Sequence, residues 1–244
     1  TELVAVGLGT PGTMDIPAGI IRAPPNLPAW RHFPVRDALA EACQCPVAYA
    51  NDAGAAAYGE YWIGTGRQYS SMVLLTLGTG VGGGIIIGDW SIDGENSHGA
   101  ECGHIVIDSS PSARICSCGQ PGHLEAYASA TAVVKRTREA LQGDSSSSLH
   151  VRLESTPELT TLLVFEEATK GDELAHRIVI ETADYLAQGI VTLVHTIDPG
   201  IVVLGGAMTF GGTDSALGRE FLERIRSRFR EQTFPVLADR TIID

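Results

Sequence analysis

Two patterns of apolar residues alternate along this chain. Short, nearly continuous apolar runs bounded by glycine or proline predict buried strands at Glu2–Leu8, Pro46–Ala50, Met72–Leu77, Gly82–Gly88 and Ile201–Leu204. Apolar residues at helical spacing predict helices over Val35–Cys43, from about Ala53 onward, over Leu124–Leu141, Leu159–Thr169, Asp172–Thr196 and Ser215–Gln232. The Asp172–Thr196 helix is long and apolar enough to be largely buried, whereas Ser215–Gln232 carries Arg and Glu as a surface helix does. Between these elements, APPNLPAW predicts a stiff extended loop, and Gly143-Asp-Ser-Ser-Ser-Ser a mobile one. The second half is mainly helical, and no tandem repeat of solenoid length is present.

Two junctions in this pattern suit ligands. The strand ending at Ala50 runs into Asn51-Asp52 and then a helix, and such strand-to-helix junctions are favoured binding positions. Asp52 is equally suited to capping that helix. The strands around Gly78-Thr-Gly-Val-Gly82 form a glycine hairpin whose backbone a phosphate can approach closely. No Gly-Lys-Ser/Thr follows, so this is not a Walker loop, and the helix and acidic residue of a dinucleotide fingerprint are also missing.

Composition narrows the function classes. With 244 residues, 44% hydrophobic and 19% charged, the chain suits one large or two ordinary folded domains rather than disorder. A net charge of −12 argues against a nucleic-acid-binding surface, but not against a nucleotide held by backbone amides. No apolar run approaches the roughly 20 residues of a membrane span, and no charged-then-apolar leader opens the chain. The five cysteines predict no disulfides and a reducing cytoplasm, with Cys43 and Cys45 at a helix-to-strand junction.

The densest chemistry lies between His98 and Ser129. His104, Cys116, Cys118 and His123 form an H-x11-C-x-C-x4-H set, sufficient for one tetrahedral Zn²⁺ of the closed, structural kind. Cys-x-Cys pairs also occur as ordinary buried thiols, and Cys102, placed beside His104 on a strand, is a second candidate for the fourth ligand. Glu101 and Glu125 bracket the set, and folding around a metal would carry both carboxylates to one place, as a polar small-molecule site requires.

Seven stretches in order, GLGTPG, APPNLPAW, NDAGAAAYGE, LGTGVGGG, HGAECGH, CSCGQPGHLEAYAS and DPGIVVLGGA, resemble the ROK family of sugar kinases and sugar-responsive repressors, most nearly its bacterial glucokinases. Each stretch alone is weakly diagnostic; the ordered set is specific and covers nearly the whole chain. The resemblance implies the actin/Hsp70-like (ribonuclease H-like) fold, two α/β domains around a cleft, with residues 1–63 in the smaller domain and 64–244 in the larger, the zinc knot lying at 104–123. It assigns Asp52 as general base on the sugar hydroxyl that attacks the γ-phosphate of ATP with Mg²⁺, the 6-hydroxyl for glucose. It implies sugar contacts from Asn26, Asn51, Glu101, His104 and Glu125, with His104 also on zinc. Thr79, Gly80 and Gly82 resemble the family's second phosphate loop, and Gly205 and Gly206 its adenosine-side loop.

The chain also departs from the family pattern. His123 stands where zinc-bearing relatives usually carry cysteine, in a G-C-L-E context. The family's opening Asp-x-Gly-Gly-Thr phosphate loop and its closing Gly- and Ala-rich helix are not found, so the chain reads as the greater part of a longer polypeptide that alone would transfer phosphate poorly. The expectation is a cytoplasmic, ATP-dependent hexose kinase, homo-oligomeric by resemblance, acting on glucose. Fructose, mannose and N-acetylhexosamines are alternative substrates and polyphosphate an alternative donor. A sugar-responsive repressor of the same family, with a helix-turn-helix ahead of Thr1, is the competing reading. A zinc-stabilised binding module without enzymatic activity leaves six of the seven stretches unexplained.

Overall fold

The computed structural model describes residues 3–24, 27–156 and 158–244. The chain divides into two compact units, Thr1–Leu74 with Gly83–Glu101, and Leu75–Gly82 with Cys102–Asp244.

In the first unit, β1 (Val6–Thr10), the hairpin of β2 (Thr13–Asp15) and β3 (Ile20–Ala23), α1 (Val35–Cys43), β4 (Val47–Asn51) and α2 (Asp52–Ile63) follow in order. β1 and β4 are parallel, in register from Val6↔Val47 to Thr10↔Asn51, with α1 and α2 packed against the pair. Met14, Ile21, Val35 and Tyr49 form its core, and the buried hydroxyls of Thr10 and Tyr49 satisfy each other at 2.9 Å. Continuous apolar character predicts complete burial of β1 and β4, yet both are only partly buried. Among the described residues this sheet has two strands, too narrow to enclose either. α1 ends where Gln44 turns into the left-handed region at φ +52°, close to the boundary its periodicity predicts.

β5 (Ser71–Leu77) and β6 (Val81–Ile87) are divided between the units, and β7 (Trp90–Ser91) pairs antiparallel with the end of β6. Within the first unit a Cβ on Gly84 would overlap Ala57, so glycine lets β6 approach α2 closely.

The second unit continues with α3 (Glu125–Ala128), α4 (Ala130–Leu141), α5 (Leu149–Ser155), α6 (Thr161–Thr169), α7 (Glu173–Ile197), β8 (Ile201–Gly205), α8 (Ala216–Gln232), α9 (Pro235–Arg240) and β9 (Ile242–Ile243). There β6, β5, β8 and β9 are neighbours in that order, with β8 and β9 parallel. The core is built on α7, whose Leu174, Ile178, Leu186, Ile190 and Val194 are buried and against which α3, α4, α6 and α8 pack. Hydroxyl or carboxylate caps fix the helix starts: Ser129 for α4, Thr160 for α6, Asp172 for α7 and Ser215 for α8. Arg136 is buried on α4 and donates to the Tyr127 carbonyl, the Thr182 hydroxyl and Glu181.

Two further expectations are corrected. The predicted helix Leu124–Leu141 is two helices, because Ser129 turns extended (φ −79°, ψ 164°) to cap α4. The end of the serine run, expected to be an unanchored loop, is hydrogen-bonded to the start of α7. Ser147 is buried and donates to Asp172, the Ser148 N–H and hydroxyl reach the same carboxylate, and α5 follows directly.

Candidate functional site

The first unit supplies the strand-to-helix junction. The Asn51 side chain, not Asp52, is the cap of α2: its Oδ1 accepts the N–H groups of Ala53 (2.9 Å) and Gly54 (3.3 Å). Asp52 is the first helical residue, exposed, with Oδ1 on the Ala53 N–H at 2.9 Å. A carboxylate there faces the unpaired amides at the positive end of the helix dipole. Gly9 at the end of β1 lies against the Asp52 backbone, where its position for a Cβ is 3.5 Å from Asp52 Cα. Glu101, exposed, ends the loop that follows β7, and Asn26 lies outside the described residues.

The second unit assembles the remaining candidates. An antiparallel bridge between Val106 and His123 brings the two histidine segments together, and the Gly119 N–H on the Cys116 carbonyl (2.9 Å) closes a tight turn that presents both thiols. Gly119 (φ +89°) and Gly122 (φ +80°) supply the left-handed backbone this knuckle needs. The ligand atoms of His104, Cys116, Cys118 and His123 all lie within 4.8 Å of one another.

These atoms suit zinc. Bonds of about 2.0–2.3 Å at a tetrahedral ion separate ligand atoms by about 3.3–3.8 Å. Cys116 Sγ and His104 Nδ1 are 3.7 Å apart, and Cys118 Sγ and His123 Nδ1 3.2 Å. Burial pushes the Cys116 thiol up. Burial and the neighbouring His104 lower His123, favouring the neutral imidazole that a metal takes. Cys102 sits in a buried 3₁₀ turn with His104, not on a strand, and lies outside the four-residue cluster.

Glu125, first residue of α3, stands beside this cluster. Its carboxylate accepts the Val81 N–H at 3.1 Å and the Ser117 hydroxyl, with Cys116 Sγ at 3.6 Å. Neither Ser117 nor the Val81 amide carries a motif signal, so spacing alone does not reveal them. The hairpin tip is held against α4: Ala130 N–H donates to the Gly78 carbonyl (2.9 Å) and Thr131 Oγ1 to the Thr79 carbonyl (2.8 Å). A cavity of about 390 Å³ opens here, lined by Thr79, Gly80, Cys116, Glu125, Thr131 and Lys135 among others. Gly82 continues into β6. Gly205 ends β8, and Gly206 (φ +101°) turns so close to Leu77 that a Cβ would overlap its backbone. The predicted phosphate loop and adenosine-side glycines therefore meet at the end of β5.

The ROK family profile matches residues 1–241. A glucokinase from Thermotoga maritima is 39% identical over 86% of this chain and 66% of its own length, and one from Halalkalibacterium halodurans 36% over 98% and 70%. The chain thus spans about two thirds of these relatives. The crystal structure of a ROK family glucokinase from Streptomyces griseus in complex with glucose and AMPPNP superposes with TM-score 0.81 at 31% identity, covering 99% of this chain and 76% of that one. The architecture is the actin/Hsp70-like α/β fold expected from the motifs.

Proposed function

The chain belongs to the ROK family, and from that premise we propose that it is the greater part of an ATP-dependent glucokinase. The observation that carries this reading is its likeness to glucokinases across nearly all of its residues, together with a carboxylate, Asp52, at a strand-to-helix junction. Xylose repressors with the same frame are less similar to the chain, at 28% identity.

In the proposed reaction Asp52 accepts the proton of the glucose 6-hydroxyl as that oxygen attacks the γ-phosphorus. The new O–P bond forms while the bond to the β–γ bridging oxygen breaks, giving glucose 6-phosphate and ADP. Such a transfer needs positioning and charge stabilisation more than covalent help from the protein. Asn26, Asn51, Glu101, His104 and Glu125 are proposed to bind the sugar hydroxyls. With Asn51 Oδ1 occupied by the helix amides, its NH₂ is the group left for sugar. Glu125 keeps acceptor capacity beyond the bonds it makes, since a carboxylate offers about four lone-pair directions. The backbone of Thr79, Gly80 and Gly82 is proposed to hold phosphates and Gly205–Gly206 to leave room for adenosine, with Mg²⁺ accompanying ATP.

His104, Cys116, Cys118 and His123 would hold a structural Zn²⁺, which supplies a cross-link and no chemistry. With His104 Nδ1 turned to the Cys116 thiol, Nε2 is the nitrogen available to a sugar hydroxyl, and the cross-link would fix that orientation. A cytoplasmic location suits both the ATP supply and reduced thiols.

The test is phosphoryl transfer from MgATP to a panel of hexoses by the full-length protein, with Asp52→Asn alongside. Glucose turnover that falls by about 10² or more in the variant, with glucose affinity kept within a few fold, supports the reading. Turnover retained in Asp52→Asn would take the base role away from Asp52, and sugar binding without turnover on any hexose would favour a repressor.

A further inference from the structure

The chain has two lysines. Lys170 is paired with Glu167 at 2.7 Å. Lys135 makes no close ion pair among the described residues; Glu139, the acid one turn further along α4, is bound by Arg114 at 2.6 Å and feels Lys135 only at longer range. In a protein of net charge −12, a lysine outside any close ion pair that lines a cavity calls for a reason.

The surroundings of Lys135 supply one. Thr131 and Lys135 are four residues apart on α4 and so lie on one face, a turn apart. Thr131 ties the Thr79 carbonyl to that face, and Ala130 ties Gly78. The hairpin tip and Lys135 therefore line the same cavity. Glu125 also lines it, its carboxylate accepting the Val81 N–H and the Ser117 hydroxyl. Lysine is a compact charge with three donors, suited to the spread charge of phosphate oxygens and indifferent to what the phosphates are attached to.

We propose that Lys135 binds the terminal phosphates of the phosphoryl donor at the Thr79–Gly80 hairpin, with Thr131 as the residue that positions the hairpin. The inference rests on the kinase reading and adds a selectivity element to it: recognition at this end is by phosphate charge.

The test uses the full-length protein with Lys135→Met, Lys135→Arg and, as a charge control on the same helix, Arg138→Gln. Inorganic tripolyphosphate and a non-hydrolysable ATP analogue are titrated by calorimetry at low and high salt, and KM is measured for MgATP and for glucose. Loss of one charge-assisted contact weakens both ligands and raises the MgATP KM about tenfold in Lys135→Met. The KM for glucose stays within about twofold, the salt dependence shrinks, Lys135→Arg recovers most of the loss, and Arg138→Gln matches wild type. Wild-type affinity for both probes in Lys135→Met overturns the proposal, as does an equal loss in Arg138→Gln. If the wild-type protein phosphorylates no hexose, the kinase reading fails by itself; weaker tripolyphosphate binding in Lys135→Met would still establish the anion site.

Discussion

The Glu125 carboxylate accepts the Val81 backbone N–H at 3.1 Å, joining the first turn of α3 to the glycine hairpin. The proposed sugar carboxylate and the proposed phosphate loop are thus one mechanical piece. Gly80 lies so close that a Cβ there would overlap Glu125 Oε2, whereas a Cβ on Gly78 would meet nothing within 4 Å. Gly80→Ala is expected to displace the carboxylate and weaken glucose binding about tenfold, on the scale of one hydrogen bond to a charged group. Gly78→Ala should leave glucose affinity near wild type. Calorimetric titration of glucose separates the two, and equal affinities would mean that Glu125 has no part in holding sugar.

The proposed zinc site predicts a graded series. His123→Ala should lose most of its zinc by elemental analysis and lower Tm, while His123→Cys, which restores a ligand type common in such sites, should retain the ion. Zinc content unchanged in His123→Ala would move the fourth ligand elsewhere.

Arg136 is 4% exposed and joins α4 to α7 through Thr182 and Glu181, and to α3 through the Tyr127 carbonyl. Its partner Glu181 is 42% exposed and can return to water, so the ion pair itself counts for little and the buried hydrogen bonds for more. Arg136→Met should cost about 2 kcal/mol, read as a lower urea midpoint at unchanged slope. A midpoint equal to wild type would show that the neighbouring groups find other partners.

Acid should weaken the second unit at Asp172. Burial of this carboxyl works to raise its pKa, but hydrogen bonds from the Ala175 N–H and from Ser147 and Ser148 outweigh it and hold it below the ordinary value. A depressed folded pKa means stability that is present above the unfolded value, about 3.9, and lost as pH falls through the folded one. Urea midpoints should therefore fall as pH drops below about 4, and Asp172→Asn should lessen this pH dependence while lowering stability at neutral pH. An unchanged acid slope in that variant would assign the effect to other carboxylates.

Most helices were legible because their signals are local. Val35–Cys43 has its predicted bounds, and α7 and α8 begin one residue inside the predicted segments because Asp172 and Ser215 are their caps. Signals that depend on a distant partner were not legible. Ser147 and Ser148 look like a flexible polar tract until the buried Asp172 carboxylate is placed beneath them. The β2–β3 hairpin and β9 are too short to carry a period, and β9 is defined only by its pairing with β8. In the candidate site, ligand spacing identifies the four residues that converge, but the bonds of Ser117 and the Val81 N–H to Glu125 depend on proximity that spacing does not reveal.

Gly189, in the middle of α7, leaves room for Leu124 and Ile105, and its neighbour Gln188 donates to the Ile107 carbonyl at 3.0 Å. The segments entering and leaving the cysteine knuckle are thus moored to the most buried helix of the unit independently of any ion. Demetallation would then unravel the knuckle between its moorings and leave the helical scaffold standing. With zinc held there as proposed, re-binding after its removal would ask only the knuckle to re-form between its moorings, and not the helices to refold.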